Sequence, residues 1–439
     1  MARDPLPADV RLLIRNNMAS AHPQVPTIDG LDSKTQNDVF TAIDAINNDM
    51  RDLSLAIHEN PELGFKEVKA HANLVKALSK LGFTITNPTS LETAFVATWS
   101  NGSGGRTFGF NAEYDALPGI GHACGHNLIA IVAVASAVGC KAAMEKQGIS
   151  GTIKVIGSPA EEGGGGKIIL FNEGVYDGLD ACAMAHPGGG MPADGYDGQA
   201  PAEGKPASLA RAGFIVDFVG KPAHAGAAPW MGVNAVDAAV LGYNGVSMLR
   251  QQLEPTVRVH GVIRGPNDWV NNIIPASSHV EYDVRAPDVK QAMAVRNKAI
   301  ACFESAAHAT GCSHTTQSKD KDIYAELRNS IRMAGVYADI MEEVFDQHIQ
   351  RDGMTTASTD FGNITISACP AVHPMYLIET DGVNHTPEFT AGAATMDSHE
   401  RSIKVAKGLA LLGFKVLTDD VFAKKIKDEF EEQKKRLGA

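Results

Sequence analysis

The sequence of 439 residues has no excess of positive charge, because 39 Lys and Arg stand against 51 Asp and Glu, a formal net charge of -12. A surface of this sign repels nucleic acid and anionic membranes at long range, so neither is predicted as a partner. The first thirty residues contain no apolar run of signal-peptide length, and the richest apolar run, residues 128–140, is too short to span a membrane. We therefore expect no secretory or membrane segment and predict a cytoplasmic location.

Cysteine is also scarce. Six cysteines, at positions 124, 140, 182, 302, 312 and 369, are scattered without the spacing of a disulfide framework, which predicts free thiols in a reducing compartment. The hydrophobic content of 44% and the charged content of 21% are those of an ordinary globular protein. The length of the chain predicts two or three domains.

The first half of the chain alternates between helix and strand patterns. Apolar residues recur at helical spacing from Val39 to Ile57, and strand-like runs then alternate with helical stretches as far as His186. This order predicts an α/β domain with a largely parallel sheet. Polar residues that could bind a ligand or take part in a reaction come after the strands, and open α/β sheets bind ligands at that position.

A second, self-contained pattern follows a linker rich in Gly, Pro, Ala and Asp. Residues 214–317 show the order strand, helix, strand, strand, helix, strand, which is typical of the ferredoxin-like unit and indicates an inserted domain. The predicted division is an N-terminal arm (1–33), a first part of the catalytic domain (34–205), the insert (206–322) and a second part of the catalytic domain (323–439).

The most informative stretch runs from Gly121 to Asn127. It places Cys124 and two imidazoles, His122 and His126, within five residues and beside glycines at the start of an apolar helix. Soft and borderline ligands at this density suit a transition-metal site. Cysteine is often buried, and a lone His is often a core residue, so this stretch alone leaves both interpretations open.

Three further places in the sequence also carry side chains that could bind a metal. Glu161 and Glu162 follow an apolar strand and precede four glycines; neighbouring carboxylates point to different sides of the chain, so one can bind a metal while the other faces its water. A solvated acidic pair is the ordinary alternative. His186 and His385 each follow an apolar stretch and lie close before a proline. Packing alone does not explain such a series.

The series resembles metallopeptidase family 20, specifically its amidohydrolase branch with the aminoacylases, auxin-conjugate amidohydrolases and β-alanyl-lysine-type dipeptidases. The resemblance covers about residues 35–415. It implies a dimetal-peptidase catalytic domain with a mostly parallel sheet, an inserted ferredoxin-like lid and dimerisation domain, and a homodimer. It also implies two divalent ions, Zn or Mn or else Co. The metal ligands that it implies are Cys124, His126, Glu162, His186 and His385.

The resemblance assigns further roles. Glu161 is implied as general base, Asp115 as the acid that orients a ligand, and Cys124 as a thiolate that bridges the two ions, whereas His122 has no ligand role in the matching motif.

The resemblance implies that three more residues handle the substrate. His224 is expected to reach the active site of a neighbouring subunit and steady the reaction oxyanion. Asn272 is implied to contact the substrate and Arg285 to bind its carboxylate. Glu113 departs from the family pattern; it could tune the site or contact a basic substrate, and a buried, locally paired acid is an equal alternative.

Together these features predict a metal-dependent amidohydrolase that cleaves an N-acyl amino acid or small dipeptide with metal-activated water. Two rivals stay open. The same site could form amides on a specialised metabolite, since a fold does not fix the direction of a reaction. The chain could also be a metal-stabilised binding protein without catalysis, although every expected ligand and the base are present.

Overall fold

The computed structural model describes residues 30–189, 195–266 and 269–438. Nearly all of the predicted N-terminal arm therefore lies outside the described residues. The helices in this part are α1 (Ser33–Ala45), α2 (Asn47–His58), α3 (Val68–Lys80), α4 (His126–Gln147), α5 (Gly166–Asn172), α6 (Ala235–Met248), α7 (Val289–Thr310), α8 (Ile331–Phe345), α9 (Phe361–Ser367), α10 (Pro387–Ala393), α11 (Met396–Thr418) and α12 (Asp420–Leu437).

The strands fall into three sheets. They are β1 (Thr84–Thr86), β2 (Phe95–Asn101), β3 (Arg106–Glu113), β4 (Gly151–Ser158), β5 (Ala181–Ala183), β6 (His186–Gly188), β7 (Gly198–Gln199), β8 (Ala210–Val219), β9 (Arg258–Arg264), β10 (Ser277–Ala286), β11 (Ser313–Ser318), β12 (Ile349–Gln350), β13 (Ala371–Val372) and β14 (Met375–Leu377).

The central sheet of the catalytic domain has the order β1-β2-β4-β3-β5-β13. The pairs β4-β3, β3-β5 and β5-β13 are parallel, whereas β1-β2 and β2-β4 are antiparallel. The last six residues of β3 are buried, as expected for a central strand covered on both faces. The predicted α/β domain with a mostly parallel sheet is therefore confirmed.

Helix α4 is the core helix of this domain and packs against the sheet, α1 and α11. At 22 residues it is longer than the apolar run in the sequence indicated, and by length and composition it could cross a membrane. However, 89% of its most apolar segment is buried inside the protein. The prediction of a buried helix is borne out in the described chain.

The insert forms a separate antiparallel sheet, β11-β8-β10-β9, with α6 and α7 packed on it. Its sequence order, β8-α6-β9-β10-α7-β11, is the predicted ferredoxin-like order. The chain enters this sheet at Ala210 and leaves it at Ser318, within the predicted range 206–322.

Two local predictions were wrong. The helix expected over residues 39–57 is in fact two helices that meet at Ile46. The apolar residues keep helical spacing across this short break, so their periodicity does not reveal it. A third sheet, β12-β7-β14-β6, was missed because its strands are only two or three residues long.

Candidate active site

Strand ends bring the five predicted ligands together. Cys124 and His126 follow β3, and Glu162 follows β4, which is parallel to it. His186 follows β5 and opens β6. The carboxyl ends of parallel strands meet at one edge of a sheet, so these side chains share that edge. The fifth predicted ligand, His385, lies beside them because its backbone N–H donates to the carbonyl of Ala123, directly before Cys124, at 2.8 Å.

The ligand atoms form two groups that share one sulfur. One group is Cys124, His126 and His186; the other is Cys124, Glu162 and His385; within each group the atoms lie within 4.8 Å of one another. Cys124 Sγ is 3.4 Å from His186 Nε2, and His385 Nε2 is 3.4 Å from Glu162 Oε1. A thiolate common to both groups fits the predicted bridge between two ions.

The buried imidazoles are oriented as metal ligands. His126 Nδ1 lies 2.8 Å from the backbone oxygen of Asp115 and 3.0 Å from its carboxylate, so it donates there. His186 Nδ1 likewise donates to the carbonyl of Pro187 at 2.8 Å. Both leave Nε2 for a metal, and His126 Nε2 is buried without a hydrogen-bond partner. The residues present therefore fit a pair of divalent ions.

Charge in the site is also unbalanced without cations. Burial and the neighbouring carboxylates of Glu113 and Glu162 raise the pKa of Glu161 well above its usual range. Burial, with Glu162 nearby, also raises the pKa of the Cys124 thiol. The pKa of Glu162 is lowered, because hydrogen bonding to His385 and the charge of His126 outweigh its burial. Bound cations would favour the thiolate and the carboxylates together.

The loop that carries Glu161 is held from several directions. Ala160 has a φ of +56°, an uncommon left-handed conformation for a residue with a side chain, and its N–H donates to buried Glu67 at 2.9 Å. The N–H of Glu162 donates to the Asp115 carboxylate at 3.1 Å. The loop backbone is thus tied to the acid that also orients His126.

The four glycines that follow Glu162 let the backbone come close to other protein atoms, and not only to a ligand. A Cβ at Gly166 would overlap the carbonyl oxygen of Pro159, and one at Gly164 would overlap Phe65 and Ala160. The glycines are therefore needed for the chain to fold back on itself around Glu161.

Glu113 does not line the cavity described below, so its predicted substrate-binding role stays a prediction. Its side chain is fully buried beside His126, with Oε2 3.6 Å from His126 Nε2, the nitrogen left for a metal. Its other oxygen lies 2.6 Å from Lys167 Nζ, and the same ammonium lies 2.5 Å from Asp360 Oδ1. All three side chains are 0% exposed. The geometry therefore agrees with the alternative of a buried, paired acid, and the pair adjoins the site.

A cavity of about 820 Å³ opens beside the ligands and extends to the insert. The insert contributes Arg211, Asp283 and Arg285 to its lining. Arg211 pairs with Asp283 at 3.0 Å. Arg285 instead donates to the Ser358 hydroxyl at 3.1 Å and to His260 Nε2 at 3.4 Å, and no carboxylate in the described chain lies within ion-pair distance of it. Its guanidinium is thus free for a negatively charged group in the cavity.

His224 and Asn272 do not line this cavity. Both are exposed on the insert, and their segments are paired, since the N–H of Ala225 donates to the Asn272 carbonyl at 2.9 Å. His224 Nδ1 accepts from the N–H groups of Gly226 and Ala227 at 3.2 and 3.1 Å. This leaves Nε2 as the donor, and no partner for Nε2 lies among the described residues. Their predicted roles stay predictions.

Sequence reasoning missed several residues around the site. Asn384 donates to the Pro187 carbonyl at 3.1 Å, and its place directly before His385 was the available signal. His373 lines the cavity with both ring nitrogens unpartnered, and burial lowers its pKa to about 3. Lys167, Asp360 and Tyr324 carried no local signal, because their partners lie far away in the chain.

The fold and the paired ligand groups define a hydrolase of the dinuclear metallopeptidase type. The chain is 39% identical to the Xaa-Arg dipeptidase of Mus musculus over 394 residues, 86% of this chain and 88% of that protein. It is 36% identical to the human Xaa-Arg dipeptidase, with the same coverage. Residues 210–310 match the peptidase dimerisation domain of family M20.

Solved structures agree on the fold. A dinuclear metal-binding peptidase of family M20 from Bacillus subtilis aligns with a TM-score of 0.63 at 20% identity, covering 85% of this chain and 99% of that one. An aminobenzoyl-glutamate utilization protein from Klebsiella pneumoniae aligns with a TM-score of 0.66 at 18% identity, covering 86% and 98%. The chain belongs to metallopeptidase family 20. The prediction of an enzyme for metal-dependent amide hydrolysis is thereby confirmed at the level of reaction class.

Proposed function

We propose that this protein hydrolyses the amide bond of small dipeptides or N-acyl amino acids that carry a free carboxylate. The observation that carries this substrate class is Arg285, a cationic side chain without a carboxylate partner on the wall of the cavity that also contains Glu161 and Cys124. A substrate spanning from Arg285 to the ligands would present its amide beside Glu161.

The metal ligands in this proposal are the two groups that share Cys124. Zinc, manganese or cobalt would suit the mixed sulfur, nitrogen and oxygen donors. When bound, such ions supply a nucleophilic water at neutral pH and Lewis acidity toward a carbonyl oxygen. Glu161 would accept the proton of the attacking water and pass it to the leaving amine.

A basic amino acid on the carboxylate side of the bond is the favoured substrate. Two relatives that align with 86% of this chain are named Xaa-Arg dipeptidases. Asp283 supports this choice, because it is an acidic residue of the cavity lining, where its carboxylate pairs with Arg211 at 3.0 Å. A cationic substrate side chain would be attracted to this acid.

Replacing Arg285 with Met should lower kcat/KM roughly 10- to 100-fold for substrates with a free carboxylate, since a charged hydrogen bond is lost. Substrates whose carboxylate is amidated should already be poor and should change little. A panel of N-acyl amino acids and dipeptides with neutral, acidic or basic second residues measures both effects. The same panel run with free acid plus amine tests the amide-forming alternative.

Arg264→Met is the matched control, because Arg264 lies on β9 of the same sheet and pairs with Glu281 at 3.6 Å outside the cavity. It should leave kcat/KM unchanged. Equal losses for free and amidated substrates in the Arg285 variant would contradict carboxylate binding.

A homodimer built through the insert is proposed with this activity. The match to a dimerisation domain supports it. Its surface supports it too, since Leu241, Tyr243 and Met248 on α6 and Val262 on the edge strand β9 are 46% to 76% exposed. A strand whose outer edge is unpaired, with exposed apolar side chains nearby, is an ordinary feature of a protein interface.

Mixing two inactive variants tests whether His224 acts across this dimer. A Glu161→Gln subunit keeps His224, and a His224→Ala subunit keeps Glu161, so the hybrid dimer has one complete site if His224 reaches the partner. Random mixing gives hybrids in about half of the dimers, so activity should recover to roughly a quarter of the wild-type value. If mixed and exchanged subunits stay as inactive as either parent, His224 does not act in trans.

We further propose a cytoplasmic location. The cysteines of the described chain are all free, as expected in a reducing compartment.

A further inference from the structure

Tyr324 lies where the chain returns from the insert to the catalytic domain. Its backbone pairs with Arg211, the second residue of β8, where the chain enters the insert. The N–H of Arg211 donates to the Tyr324 carbonyl at 2.8 Å, and the N–H of Tyr324 donates to the Arg211 carbonyl at 3.0 Å. The two crossings between the domains are thus hydrogen-bonded to each other at this pair of residues.

The side chain of Tyr324 points to the loop of Glu161. Its hydroxyl donates to the Glu161 carbonyl at 2.7 Å and accepts from the Gly165 N–H at 2.9 Å. The ring is 2% exposed, and the Arg211 guanidinium lies 5.2 Å from its centroid. Both hydrogen-bonding functions of the phenol are therefore used on the backbone of one loop.

That loop needs an external support. Ala160, directly before Glu161, has the left-handed φ of +56°. Such a conformation persists only when the surroundings hold it. Glu67 holds the loop at the Ala160 N–H, and Asp115 holds it at the Glu162 N–H. Tyr324 holds the Glu161 carbonyl and the far end at Gly165.

We propose that Tyr324 is a positioning residue, which fixes the backbone of Glu161 to the crossing point of the insert and so sets the direction of its carboxylate. This inference rests on the proposed role of Glu161 as base. A base displaced by a fraction of an ångström transfers protons less efficiently, whereas substrate contacts elsewhere in the cavity are unchanged.

The test is Tyr324→Phe in the full-length, metal-loaded protein. The ring and its stacking with Arg211 remain, and only the hydroxyl is lost. We expect kcat to fall about tenfold, with KM and bound metal within about twofold of the wild-type values. Tyr376→Phe is the matched control: its hydroxyl is 2.8 Å from Ser402 on α11, it is 3% exposed, and its removal should leave kcat unchanged.

A second measurement separates positioning from general damage. In a Glu161→Asp background the shorter side chain already misplaces the carboxylate, so adding Tyr324→Phe should lower kcat by less than about twofold. A full tenfold loss in that background, lost metal in the single variant, or a wild-type kcat in Tyr324→Phe would overturn the inference. Full activity of the Glu161 variants would instead overturn the proposed function.

Discussion

Replacing Glu161 with Gln should lower kcat by roughly 100- to 10,000-fold, the usual contribution of a general base. Gln has nearly the same shape but cannot accept a proton. In the proposed mechanism Glu161 is the base and not a ligand, and Gln keeps an oxygen at the same place, so metal content should stay at about two ions per chain. Steady-state kinetics on a dipeptide, together with elemental analysis of the same sample, measures both quantities.

Glu326→Gln is the control for this experiment. Glu326 is also buried, at 3% exposure, but its carboxylate pairs with Arg328 outside the cavity. That variant should retain kcat. An active Glu161→Gln enzyme would falsify the proposed mechanism, whereas an inactive one without metal would mean that Glu161 is a ligand rather than a base.

Four of the five candidate metal ligands could be singled out in the sequence because Cys and His are scarce residue types and carry local markers here. Cys124 and His126 are flanked by glycines, and His186 and His385 come close before prolines. Strand order then brings them to one edge of the sheet, an arrangement that follows from parallel pairing alone. The ferredoxin-like insert could be predicted for a similar reason, since its strands and helices are long and regular.

The surroundings of the ligands could not be predicted in the same way. Lys167 and Asp360 are 193 residues apart, and Tyr324 is 163 residues from the carbonyl it binds. Neither contact leaves a periodic trace in the chain. Glu113 was ambiguous for the same reason, because its carboxylate could be assigned only once Lys167 was found opposite it. His224 illustrates another limit, since its predicted role in a partner subunit cannot be tested within one chain.

The buried ion cluster behind the site leads to the second large expected effect. Replacing Lys167 with Met should lower the free energy of unfolding by about 3–5 kcal/mol, because Glu113 and Asp360 would then face each other without a counter-ion in the interior. Urea unfolding of the chelator-treated protein measures it. Lys407→Met is the control: Lys407 pairs with Asp44 at 2.6 Å, but Asp44 is 58% exposed, so its loss should cost no more than about 1 kcal/mol.

The stability loss of the Lys167 variant should depend on pH in a definite direction. Burial already raises the pKa of Asp360 to about 6, although Lys167 lowers it. Without Lys167 the folded-state pKa rises further above the unfolded value, so the folded variant binds protons more readily than the unfolded chain. The loss in free energy of unfolding should therefore be largest above the folded-state pKa of Asp360 and shrink as the pH falls. Adding Glu113→Gln and Asp360→Asn to Lys167→Met removes both charges and should recover most of the lost stability. A triple variant no more stable than Lys167→Met would mean that packing of the lysine stem, rather than its charge, holds these elements together.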